Sequence, residues 1–248
     1  MEHNVILHIP HSSTHIPSYE GFVVSKEVIQ RELNLLTDWF TDELFDLPYH
    51  KLIVTFSRLF CDVERFSDDK LEVMSKAGMG MCYTHLDSGQ HMRLISADLR
   101  NRIKTEYYIK HHEKLNELTT QILGKCRNVL IVDCHSFSEK PFNRDTDKDV
   151  PRPDFCIGMD SYHTPMKLVQ SAKEFLVSHG YTVGINRPYS GTMIPSKYYQ
   201  IEKNVMGIMI EVNRKLYLKE KDGVVLKGDG FQKVCGILEL LVNNLANL

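Results

Sequence analysis

Three apolar runs in this chain end in residues that a buried core would not choose. Val5-Ile6-Leu7-His8-Ile9 leads into Pro10-His11-Ser12-Ser13. Val129-Leu130-Ile131-Val132 leads into Asp133-Cys134-His135-Ser136, and Gly207-Ile208-Met209-Ile210 into Glu211-Val212-Asn213-Arg214. If the three runs are strands lying side by side, His11, His135 and Glu211 converge at one rim. Two imidazoles and a carboxylate are the ligand chemistry of a catalytic zinc with an open position. Such an ion lowers the pKa of a bound water to about 7 and polarises a carbonyl. A second carboxylate, outside the ligand set, then has to take the proton from that water. Glu211 is the candidate for catalysis, against a structural alternative in which it forms a buried ion pair with Arg214.

Residue types alone do not choose the third ligand. Asp38 sits between bulky apolar neighbours in Thr37-Asp38-Trp39-Phe40. Its ordinary reading is a charge at a helix N-terminus, worth about 0.3–1 kcal/mol. Glu64 competes, in Cys61-Asp62-Val63-Glu64-Arg65, and His15 is close to His11, although Ile16-Pro17 directs the chain away. Asn186-Arg187-Pro188-Tyr189-Ser190-Gly191 reads as a turn-rich loop between the second and third rim strands, a candidate pocket wall. His111-His112 lies on a charged helix, where solvated side chains are the default and His112 lining the site is the alternative. No P-loop or dinucleotide fingerprint is present.

The elements that must position these residues are legible in outline. Residues 5–9 form a short strand stopped by Pro10. Ser25 caps a helix that carries Val28, Ile29, Leu33 and Leu36 at helical spacing. Thr37 caps a further helical stretch through Trp39, Phe40, Leu44 and Phe45. Residues 51–56 and 59–63 look extended, and 97–124 helical with many charges on one face. Residues 128–134 are the clearest central strand, 142–153 a polar surface loop, and 166–178 a helix ending at Gly180. A strand over 205–212 and a helix over 231–245 complete the chain. Strands and helices alternate, which predicts a mixed or mostly parallel sheet covered by helices, with ligands beyond the carboxyl ends of its strands.

Composition bounds the rest. The 248 residues are 42% apolar and 25% charged, an ordinary globular composition that argues against disorder. The net charge of −2 leaves no basic footprint for nucleic acid or an anionic membrane surface. The first residues, MEHNVILHIPH, do not read as a signal peptide, and no aliphatic run is long enough to cross a bilayer. A cytoplasmic location is the expectation. The six cysteines include no CxxC and read as free thiols. With no repeat or linker, residues 1–248 are read as one domain.

The motifs resemble, in order, those of the N-formylglutamate amidohydrolase family. They are Pro10-His11-Ser12-Ser13 with Pro17, Thr37-Asp38-Trp39, Ser57-Arg58, Asp62-Val63-Glu64-Arg65, Asp133-Cys134-His135-Ser136, Tyr189-Ser190-Gly191, and Glu211 with Tyr217. The family is similar to the zinc carboxypeptidases. The resemblance implies a three-layer α/β fold of the phosphorylase/hydrolase type, with a mixed, mostly parallel sheet flanked by helices. It implies one zinc, with manganese, iron or cobalt as possible substitutes. His11, His135 and, in preference to Glu64, Asp38 would hold it. Glu211 would be the base, Arg58 would stabilise the oxyanion or grip a carboxylate, and Arg65 would bind the substrate carboxylate. The competing reading of both arginines is a salt bridge with Asp62 or Glu64, worth about 0–1 kcal/mol if exposed. Asn186, Ser190 and Gly191 would complete the substrate pocket. This chain departs from the family pattern at Glu64, where asparagine is usual, and at Ser13 and Thr192, where glycine is usual. Near Lys110-His111-His112, where the family has Pro-Tyr-His, only His112 fits.

The implied reaction is hydrolysis of N-formyl-L-glutamate to formate and L-glutamate, a step of amino acid (histidine) degradation on a small acidic substrate. The alternatives are a zinc peptidase or amidase with another substrate, and a non-catalytic binding protein on the same fold.

Overall fold

Aliphatic and β-branched residues concentrate in the segments that become the central sheet, and polar ones in the connections. The computed structural model describes residues 4–248. Its main sheet has six strands in the order β2-β1-β3-β6-β4-β5. These are β1 (Val5–Ile9), β2 (His50–Ile53), β3 (Val129–Phe137), β4 (Phe155–Gly158), β5 (Val183–Ile185) and β6 (Val205–Asn213). β2, β1, β3 and β6 run parallel, whereas β4 lies antiparallel to β6 and carries β5 parallel to itself. The sheet is mixed and mostly parallel, with helices on both faces.

Period-two alternation divides the strand residues between two cores. Val5, Leu7, Ile9, Leu130, Val132, Cys134, Ile208, Ile210 and Val212 pack against helices α2 (Thr41–Leu44), α5 (Met166–Ser178) and α6 (Phe231–Ala246). Ile6, Val129 and Ile131 pack on the other face against Leu115 and Ile122 of α4 (Lys110–Leu123). A further cluster joins α1 (Lys26–Leu36), α3 (Ala97–Ile103) and the segments around Phe60 and Tyr83. All six cysteines are free.

Several expected elements differ in extent or kind. Ser25 does cap α1, accepting the Val28 N–H. Thr37 starts nothing; its N–H donates to the Leu33 carbonyl, closing α1. The chain leaves the helix there because the next N–H, of Asp38, donates to the His11 carbonyl at 3.0 Å. Residues 59–63 are turns and not a strand, because the Ser57 carbonyl and hydroxyl take the following N–H groups. The helix over 97–124 is continuous but contains a π turn over Lys104–Ile109. β4, β5 and the hairpin of β7 (Leu218–Lys221) and β8 (Val224–Lys227) lie in stretches for which no element was assigned. Among the described residues no helix is long and apolar enough to cross a membrane.

Gly158, which closes β4, shows how tightly the segment after β5 is laid on the sheet. A Cβ at this position would collide with the Gly191 carbonyl and the Met209 side chain. Because one obstacle is backbone, the loop would have to move. Gly158→Ala should destabilise the protein by about 1–3 kcal/mol through overpacking, measured as a lower urea midpoint at unchanged slope.

Candidate active site

On the α4 face, the alternation that buries Ile6, Val129 and Ile131 continues into His8, Asp133 and His135. The apolar surface therefore turns polar toward the carboxyl ends of β1 and β3. β3 pairs with β6 as far as Phe137 and Asn213, so His135 lies directly opposite Glu211 within the ladder. Both residues are inside strands, and only His11 extends past its strand. All three are buried and meet as expected at one rim.

The His11 and His135 rings lie 5.1 Å apart, tilted by 53°. The competing carboxylates face opposite edges of this imidazole pair. Asp38 Oδ2 lies 3.1 Å from His135 Nδ1 and 3.8 Å from His11 Nδ1. Glu64 lies 3.3 Å from His135 Nε2 and 3.6 Å from His11 Nε2. The Nε2 atoms also face buried carboxylates: Asp62 at 2.9 Å from His11 and Asp133 at 3.2 Å from His135. His11, Glu64 and His135 have donor atoms close enough to share an ion. His11 Nδ1 is buried with no hydrogen-bond partner, as a ligand atom would be. His15 is exposed and takes no part in this donor group.

Glu211 Oε2 is likewise buried and without a partner. Burial pushes the carboxyl pKa up to about 7, with Asp38 adding to the shift and His135, Arg214 and Arg58 opposing it. Arg214 does not form a hydrogen bond to Glu211. It donates to Asp38 Oδ1 at 2.9 Å, to Ser136 Oγ at 3.1 Å and to the Leu35 carbonyl at 2.6 Å. Burial opposes charge on His135, but Glu64, Asp133 and Asp38 hold its pKa well above the usual value.

The two candidate substrate arginines are differently committed. Arg58 donates to Asp62 Oδ2 at 3.0 Å and to the Tyr83 hydroxyl at 3.1 Å, and its Nη1 lies 4.0 Å from Asp38. Arg65 stands 3.6 Å from Asp62 and 3.7 Å from Glu72, and its Nε is buried without a partner. In the loop after β5, Asn186 adopts a positive φ and accepts the Met159 N–H, a turn-stabilising contact. Ser190 is exposed and Gly191 has φ near +92°. The Tyr189 carbonyl accepts the thiol of Cys156, the residue paired with Glu211, so this loop passes beside Glu211.

A family model described as N-formylglutamate amidohydrolase matches residues 3–218. The chain belongs to the N-formylglutamate amidohydrolase family. It is similar to a crystal structure of an N-formylglutamate amidohydrolase from Ralstonia eutropha JMP134, with a TM-score of 0.84 and 24% identity. That match covers 99% of this chain and 94% of the other. The crystal structure of the Agrobacterium tumefaciens gene product Atu2144 aligns with a TM-score of 0.69 and 18% identity, covering 99% and 91% of the two chains. At these identities the likeness establishes the fold. No curated protein matches the chain.

In this member of the N-formylglutamate amidohydrolase family, several polar residues of the site escaped the reading of the sequence. His8 Nδ1 lies 2.8 Å from Asp133, and its Nε2 lies 3.0 Å from His111 Nε2. His111 is buried, and His112 bonds the Val63 carbonyl at 2.9 Å, so neither imidazole is a solvated helix residue. Burial lowers the pKa of His111 to about 2 and that of His112 to about 4. His8, Glu64 and Asp133 also cluster closely enough for an ion, but both nitrogens of His8 already have partners. The signal for His8 and Asp133 was available: each sits two residues along from a core position on the same face.

Glu211 makes stability depend on pH. In the unfolded chain its carboxyl loses a proton near pH 4.5, and in the folded, metal-free chain near pH 7. Between those values the unfolded state has lost the proton that the native state keeps, so this group's contribution to stability falls as pH rises. Glu211→Gln removes the effect. The melting temperature of the metal-free variant relative to wild type should rise between about pH 5 and pH 8, which calorimetry at a series of pH values checks.

Proposed function

We propose that the protein hydrolyses the amide of an N-acyl amino acid, with N-formyl-L-glutamate the leading substrate, and uses one divalent ion, zinc in preference to manganese, iron or cobalt. The observation that carries this reading is the pair of buried, unpartnered atoms, His11 Nδ1 and Glu211 Oε2, at one rim. The donor chemistry fits zinc: two imidazoles with a carboxylate between them. We assign His11 Nδ1, His135 Nδ1 and Asp38 as the ligands. A ligating histidine usually donates its other N–H to a carboxylate, and Asp62 already faces His11 Nε2. The charges acting on Glu211 include Asp38, Arg58 and Arg214, which favours an ion on the Asp38 edge of the imidazoles.

An ion held there supplies an acidified water and a polarised carbonyl. The protein's own groups do the rest. Glu211 Oε2 accepts the proton of the attacking water and returns it to the leaving amine. Arg58, through Nη1, which makes no hydrogen bond of its own, stabilises negative charge on the acyl oxygen. Arg65, which makes no hydrogen bond in its side chain, binds the substrate carboxylate. The segment carrying Asn186, Ser190 and Gly191 closes the pocket beside Glu211. Arg214 holds Asp38 at its inner oxygen.

Formate release from N-formyl-L-glutamate tests the activity, and elemental analysis tests the ion. Glu211→Gln should retain stoichiometric zinc and lose about 100- to 10,000-fold in kcat. Asp38→Asn should lose zinc, whereas Glu64→Gln should keep it; the reverse pattern would transfer the ligand role to Glu64. Arg65→Ala should raise KM by about tenfold or more, the loss of one charge-assisted pair, with a smaller change in kcat.

A further inference from the structure

The groups behind His11 form a chain that begins well away from the pocket. His11 Nε2 lies 2.9 Å from Asp62 Oδ1, and both side chains are almost wholly buried. Asp62 Oδ1 also accepts the Glu64 N–H at 3.1 Å. Its other oxygen accepts the Tyr83 hydroxyl at 2.8 Å and Arg58 at 3.0 Å. The Tyr83 hydroxyl in turn accepts Arg58 Nε at 3.1 Å. Tyr83 is fully buried, and its ring lies against Arg144, 5.5 Å from the guanidinium carbon. Arg144 is itself fixed by Glu32 at 2.6 Å and the His85 carbonyl at 3.1 Å. The hydroxyl therefore has little freedom to leave Asp62.

Asp62 accepts the Glu64 N–H, the Tyr83 hydroxyl and Arg58, the pattern of an ionised carboxylate. An ionised carboxylate only accepts hydrogen bonds, so the His11 nitrogen facing it carries the hydrogen. A neutral imidazole has a single N–H. Its lone pair is then on Nδ1, the buried atom that has no partner. Without the Tyr83 hydroxyl, Asp62 Oδ2 would keep only the Arg58 hydrogen bonds and the longer ion pair with Arg65, and Arg58 Nε would lose its second acceptor.

We propose that Tyr83 is a positioning residue that, through Asp62, sets which nitrogen His11 presents to the site. Its effect on metal affinity rests on the ligand assignment above; its effect on the tautomer does not.

The test uses the full chain, metal-free, with 15N-labelled histidine, at alkaline pH where the imidazoles are neutral. Wild-type His11 should appear as the Nε2–H tautomer. Tyr83→Phe keeps the ring and should shift His11 toward a tautomer mixture while leaving His135 unchanged. Zinc affinity, from competition with a chelating dye, should fall by about tenfold in Tyr83→Phe and about 100-fold in Asp62→Asn, the range for partners outside the ligand shell. A wild-type His11 protonated on Nδ1 would overturn the proposal without any variant. So would a folded Tyr83→Phe with unchanged tautomer and unchanged zinc affinity. A wild type that takes up no zinc would sink the ligand assignment, and the tautomer would still decide the role of Tyr83.

Discussion

The register between β3 and β6 is the constraint on which the chemistry depends. It sets His135 opposite Glu211 and sends both to the α4 face. In a strand, a slip of one residue turns every side chain to the other face. Here it would drive Asp133, His135 and Glu211 into the core beneath α5 and α6, and bring Val132, Cys134 and Ile210 into the site. The aliphatic half of the alternation therefore does more than stabilise the sheet. It makes the wrong register expensive, because the slipped state would bury ionisable groups among leucine and valine side chains. β1 is locked in the same way, with His8 opposite Asp133.

Placing this many ionisable groups in a buried cluster has a cost, and the cluster is arranged to limit it. Asp38 is held by Arg214 and the Ser136 N–H, and Asp62 by Arg58, Tyr83 and His11. Asp133 accepts the Met193 N–H at 2.7 Å as well as facing His8. Buried polar groups are tolerated when each has its partners, and they become costly when one partner is missing. Within this cluster three atoms depart from that rule, His11 Nδ1, Glu211 Oε2 and Arg65 Nε. Buried groups left unpaired beside an otherwise saturated network mark a place where stability has been traded for function.

The sequence carried the rim residues because strand, loop and reactive side chain follow one another directly in the chain. His11, His135 and Glu211 were each legible from the aliphatic run before them. β1, β3, β6, α1, α5 and α6 were legible for the same reason, since strong periodicity survives tertiary context. What was not legible depends on distant partners. Thr37 looks like a helix start by its residue type, yet tertiary pairing of Asp38 with His11 makes it a helix end. The 59–63 stretch has strand-forming residues, but Ser57 captures its first N–H groups. Asp62 and Tyr83 carry no local signature, because their place is defined by contacts across 51 and 21 positions of chain. The β7–β8 hairpin is a different case. Its Asp222-Gly223 pair, both with positive φ, is a strong turn signal that the sequence did offer.

Opposite placement of Asp38 and Glu64 about the imidazole pair gives the site a front and a back. On the Nε2 side lie Asp62, Glu64 and Asp133, and beyond them His8, which faces Glu64 and Asp133, and His111, which His8 contacts. On the Nδ1 side lie Asp38, held by Arg214, and the guanidinium of Arg58. The carboxyl of Glu211 responds to that second set. Of the three arginines, Arg214 and Arg58 donate hydrogen bonds to buried carboxylates, and Arg65 is held only by longer ion pairs, to Asp62 and Glu72. An anion at Arg65 would compete only with ion pairs of 3.6 and 3.7 Å, whereas one at Arg214 would compete with a hydrogen-bonded pair at 2.9 Å. On the proposed function, that asymmetry orients the substrate with its carboxylate toward Arg65 and its acyl group toward Glu211.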